Sequence, residues 1–64
     1  MDNGMRDYIL AIVTTNLSLV QGGGCPVFLA VNSSQQNKIS MLLARILGAN
    51  VHDLENGVYL IVKH

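Results

Sequence analysis

Ser33-Ser34-Gln35-Gln36-Asn37-Lys38-Ile39-Ser40-Met41-Leu42-Leu43-Ala44-Arg45-Ile46-Leu47-Gly48 is the stretch on which the fold turns. Ile39, Leu42, Leu43 and Ile46 recur at i, i+3, i+4, i+7, the spacing of one apolar stripe on an α-helix. Lys38, Met41 and Arg45 fall off that stripe, toward solvent or a partner. Ser33 followed three residues later by Gln36 reads as a capping box, in which each partner satisfies a backbone amide the helix leaves orphaned. Gly48 stands where a left-handed C-terminal cap is expected. The spacing predicts a helix over Ser34–Leu47, about 21 Å long at about 1.5 Å per residue.

Downstream, Asn50-Val51-His52-Asp53-Leu54 and Val58-Tyr59-Leu60-Ile61-Val62-Lys63 flank Glu55-Asn56-Gly57. Asn-Gly between two apolar runs signals a β-hairpin, because a type I′ turn needs positive φ at both central residues. Upstream, Val27-Phe28-Leu29-Ala30-Val31 reads as a strand, with Pro26 at its first position or just before it, since proline cannot donate to a ladder. Tyr8-Ile9-Leu10-Ala11-Ile12-Val13-Thr14-Thr15 is short and rich in β-branched residues, the mark of another strand. Between them, Asn16 caps a short helical turn over residues 16–21, and Gly22-Gly23-Gly24 ends it. The expected architecture is α+β: a small four-stranded sheet in the order β-β-α-β-β with one main helix on one face. Residues 1–64 form a single domain, with residues 1–7 as a flexible N-terminal segment.

The strands alternate poorly. Val58, Leu60 and Val62 oppose Tyr59 and Ile61, while Leu10 and Ile12 oppose Ile9, Ala11 and Val13, so both faces of the sheet read as apolar. One helix covers one face. The other face needs a second chain, which points to a homo-oligomer. Leu60 and Ile61 cannot both lie under the helix; the sequence leaves open which of them does.

Composition narrows the function classes. Of 64 residues, 50% are hydrophobic, which excludes intrinsic disorder, and only 12% are charged, half the usual share of about 25%. Four basic residues balance four acidic ones, so no electrostatic footprint for nucleic acid exists. Met1-Asp2-Asn3-Gly4-Met5-Arg6-Asp7 lacks the basic start of a signal peptide, and no window approaches the roughly 20 apolar residues of a membrane span. The expectation is a cytoplasmic protein with a reduced thiol, still able to sit peripherally on a membrane complex.

Candidate chemistry is sparse. Cys25 follows Gly22-Gly23-Gly24, where backbone can approach a ligand, but no sequence feature brings His52 or His64 to it as a base. The glycines lack the Lys-Ser/Thr or spaced-glycine context of a phosphate loop. One cysteine and two histidines without paired spacing are a poor metal set, and neighbouring His52 and Asp53 on a strand point apart. No catalytic, cofactor-binding or metal-ligating residue is assigned, and no cofactor is expected. The residues singled out for partner or ligand contact are Gly22, Gly23, Gly24, Cys25, Leu60 and Ile61. The leading reading is a non-enzymatic interaction subunit. A small-molecule or nucleotide sensor using the glycine turn at a subunit boundary is the alternative, and a thiol enzyme centred on Cys25 comes third.

Thr14-Thr15-Asn16, Gly22-Gly23-Gly24, Pro26-Val27-Phe28, Val51-His52-Asp53-Leu54 and Asn56-Gly57-Val58-Tyr59-Leu60-Ile61-Val62-Lys63-His64 together carry a resemblance. The chain resembles the capping-complex subunits for YIEGIA membrane proteins of endospore-forming bacteria, from about Ile9 to His64. Ser33-Ser34-Gln35-Gln36 is neutral where that family tends to be acidic. The resemblance implies a sporulation-linked accessory subunit, a membrane-protein partner of the YIEGIA type, and no catalytic residues to carry over.

Overall fold

A computed structural model describes residues 8–21 and 24–63. Along the chain come β1 (Tyr8–Thr14), a short 3-10 turn (Leu17–Leu19), β2 (Val27–Leu29), α1 (Ser33–Leu47), β3 (Asn50–Asp53) and β4 (Val58–Lys63). This is the expected α+β fold, a four-stranded mixed sheet with one main helix. The strand order is β2-β1-β4-β3, with β1 parallel to β2 and the other neighbours antiparallel. Residues 1–7, expected to be flexible, lie outside the described residues, as do Gly22 and Gly23.

The short turn forms with Asn16 as its cap, the side chain accepting the Ser18 amide at 3.0 Å, but it is a 3-10 turn over Leu17–Leu19 that ends at Val20, short of the glycines. Pro26 stands just before β2, and its carbonyl accepts the Ile12 amide at 2.9 Å, so the missing donor costs the ladder nothing. Gly48 closes α1 at φ 62°, ψ 43°, a left-handed conformation that glycine adopts without a Cβ clash.

Four further local expectations are corrected. The helix start lies one residue earlier than the Ser33/Gln36 box: Asn32 is the N-cap, its Oδ1 accepting the Gln35 amide at 2.8 Å, while Gln35 Oε1 accepts the Val31 amide at 2.8 Å. The β3–β4 connection is not a two-residue type I′ turn. Positive φ falls on Glu55 (64°) and Gly57 (94°) and not on Asn56, and the longer loop closes with the Leu54 amide on the Val58 carbonyl at 3.0 Å. Asp53 Oδ1 accepts the Glu55 amide at 2.7 Å, which holds that left-handed residue in place.

The third correction concerns β1. Its register against β4 shifts between Ile9 and Ala11, so Leu10 is an extra residue and Ile9, paired with Val62, joins the face of Ile12 and not that of Ala11 and Val13. The fourth concerns the helical stripe. Ile39 and Leu43 pack against the core as expected, but Leu42 is 45% exposed and Ile46 76% exposed. The buried helix positions are Gln36 and Ser40, so α1 is rolled about a quarter turn from the orientation its apolar residues alone predict. Leu43→Ala should therefore cost about 2–3 kcal/mol, and Ile46→Ala less than about 0.5 kcal/mol. Urea melts of the two variants check the roll, since equal costs would return Ile46 to the core. Glu55→Asn should raise stability by about 0.5–1 kcal/mol in the same melts, because asparagine tolerates the left-handed region better than glutamate.

Candidate functional site

Side chains alternate across the sheet, and the register sorts them into two faces. Tyr59, Ile61 and Lys63 lie on the helix side: Tyr59 Oη donates to Asn37 Oδ1 at 2.6 Å, and Lys63 Nζ donates to the Gly48 carbonyl at 3.2 Å. Ile61 is 0% exposed and forms the core with Ala11, Val13 and Ala30. The question left open by the sequence is thereby answered. Ile61 is under the helix, and Leu60 is on the open face.

Leu60 has company there. Its register partners and their same-face neighbours are Ile9, Ile12 and Thr14 of β1, Val27 and Leu29 of β2, Asn50 and His52 of β3, and Val58 and Val62 of β4. Ile9, Val27 and Leu29 are exposed. None of these side chains is an acid, a lysine or an arginine. At one end the face is closed: Thr14 and Val58 are buried. The β1–β2 connection folds back over that end, with Leu19 Cδ1 3.5 Å from where a Cβ on Gly57 would stand. Elsewhere the one main helix of the described chain lies on the opposite side of the sheet, and Ile9, Val27 and Leu29 of this face are exposed.

A polar cluster fixes the same closed end from the helix side. Gln36, 2% exposed, donates through Nε2 to the Val13 and Gly57 carbonyls, each at 2.9 Å. Thr14 Oγ1 donates toward the Gly57 and Asn16 carbonyls at 3.1 Å and accepts the Asn16 amide at 3.1 Å. One glutamine thus ties α1 to the end of β1 and the start of β4. Ser40 Oγ, one helical turn on, is buried with no hydrogen-bond partner. Sequence reading missed Gln36 because a polar residue in the first turn of a helix ordinarily faces water. The one available signal is that Gln36, Ser40, Leu43 and Leu47 also fall at helical spacing.

The remaining singled-out residues do not converge on a reaction centre. Gly24 has φ 100°, and a Cβ there would meet nothing within 4 Å. Cys25 beside it is a half-buried free thiol. His52 and Asp53 fall on opposite faces, opposite Leu60 and Tyr59 respectively. Among the described residues no pocket opens, and no group of three or more metal-ligating side chains gathers.

A family model described as the capping complex subunit for YIEGIA matches residues 6–64. The chain belongs to this family. It is also similar to the uncharacterized protein YpzH of Bacillus subtilis (strain 168), 36% identical over 64 residues that span 100% of this chain and 98% of the relative. No solved structure matches. The family match takes in all four strands and α1. Its description is that of an accessory component of a complex, and no helix among the described residues is long and apolar enough to cross a membrane.

Proposed function

We propose that this capping-complex subunit is a non-enzymatic accessory protein that pairs with a second copy of itself through the open face of the sheet. In that assembled form it docks, in a sporulation-linked process, on a membrane protein of the YIEGIA type. The supporting observation is the open face itself, with Ile9, Ile12, Val27, Leu29, Leu60 and Val62 uncovered by the chain's own helix. Apolar surface left in water forfeits about 25 cal/mol per Å², which association recovers.

A second copy suits this face because a two-fold contact sets the same surface against itself, and an apolar face free of fixed charge is complementary to itself. The face carries no Asp, Glu, Lys or Arg. Apart from the buried Thr14, its polar members, Asn50 and His52, sit on the edge strand β3 at the rim, where water still reaches. Four strands about 4.8 Å apart give a small footprint, and the exposed Leu17 and Leu19 extend it toward the low end of specific interfaces, about 600 Å² per partner. Sedimentation velocity at micromolar concentration should give about twice the 6.9 kDa chain mass. A chain that sediments as a monomer at those concentrations and still melts cooperatively overturns the pairing.

A further inference from the structure

We infer that the outward flank of α1 is a second interface, distinct from the sheet face, which receives an acidic amphipathic segment of the partner; the inference rests on the docking reading above. The roll of α1 turns Leu42 and Ile46 out of the core, 45% and 76% exposed. At about 100° per residue, Leu42 and Ile46 occupy the flank opposite Asn37, whose side chain is anchored to Tyr59. This apolar ridge is unused by the chain's own fold, and it lies on the reverse side of the molecule from Leu60 and Leu29.

The chemistry of its border selects the occupant. Lys38 and Arg45 are seven residues apart, two turns or about 10 Å along the helix, and Leu42 lies between them. No Asp or Glu occurs anywhere on Ser33–Leu47. The acidic residues are Asp2, Asp7, Asp53 and Glu55, the described ones at the β3–β4 loop. In a chain with equal numbers of acids and bases, α1 is therefore a wholly cationic, half-apolar surface. A helix or extended segment with an apolar ridge and carboxylates about 10 Å apart would bury Leu42 and Ile46 while pairing Lys38 and Arg45. Opposite charge at the rim of such a contact sets orientation and suppresses wrong partners.

The test uses the full chain co-expressed with the tagged YIEGIA protein and purified in detergent at low salt. The wild-type chain should be retained, and Lys38→Glu with Arg45→Glu should lower retention at least tenfold while circular dichroism and the self-associated mass stay unchanged. Ile46→Ser should lower it without altering the charge. Retention of the charge-reversed chain at the wild-type level overturns this inference and leaves the docking reading standing. Absence of the wild-type chain from the complex overturns both. Vesicles of phosphatidylglycerol and phosphatidylcholine make the final arm: flotation of the wild-type chain with them, abolished by charge reversal, would make the flank a lipid-binding surface and overturn the partner assignment.

Discussion

Ile61→Lys should unfold the chain, whereas Leu60→Lys should leave it folded and monomeric. Neighbouring residues of β4 carry the same substitution, so the difference in outcome isolates the environment. Ile61 is enclosed by α1, Ala11 and Val13, and a lysine there places an ammonium group with no counter-charge in a dry core. Burying an unpaired charge costs several kcal/mol or more. A domain of this length has only about 3–10 kcal/mol of stability in total. At Leu60 the same ammonium group faces water in the isolated chain and costs little. In the self-associated form it would be buried without a counter-charge in an apolar contact, so association is lost. Far-ultraviolet circular dichroism reads folding, and sedimentation reads assembly. Two folded, associated variants would mean that neither face is buried as described.

Gln36→Leu should destabilise the fold by about 2–4 kcal/mol, the second large effect. The side chain is close to isosteric, so packing changes little and the loss falls on two hydrogen bonds, to the Val13 and Gly57 carbonyls. A buried acceptor left without its donor costs about 1–3 kcal/mol. Thr14 Oγ1 and the Thr15 amide still reach the Gly57 carbonyl, at 3.1 and 3.3 Å, so the larger part of the loss falls on the bond to Val13. Ser40→Ala, one turn along the same buried stripe, should do the opposite. Its hydroxyl is buried without a partner, so removing it should leave stability unchanged or raise it by up to about 1 kcal/mol. Urea denaturation of the pair decides the matter. If Gln36→Leu were neutral, the glutamine would not tie the helix to the sheet.

Much of this protein is legible in its residues one stretch at a time. The element order follows from local signals: a β-branched run at Tyr8–Thr14, glycines and Pro26 as punctuation, helical spacing over α1, and apolar runs on either side of Asn56-Gly57. Those signals are strong because each depends on backbone torsions and neighbours only a few positions away. That β4 must bury one of Leu60 and Ile61 and bare the other also follows from period-two alternation alone. So does the shortage of cover, since one helix cannot shield two apolar faces.

What needed the tertiary structure is everything that depends on which groups meet across the chain. The bulge at Leu10 moves Ile9 to the open face, a shift no single strand can announce because it exists only in the pairing with β4. The positive φ at Glu55 instead of Asn56 is set by the closure of Leu54 on Val58 and by the Asp53 side chain. The roll of α1 is decided by the Val13 and Gly57 carbonyls, 23 and 21 residues away from Gln36. The two hydrogen bonds of Gln36 hold the centre of the helix–sheet contact, and Leu42 and Ile46 are left in water. That choice sends two leucine-sized side chains outward. Periodicity told how many faces the protein has; the strand register, the bulge at Leu10 and the roll of α1 decided which residues stand on each.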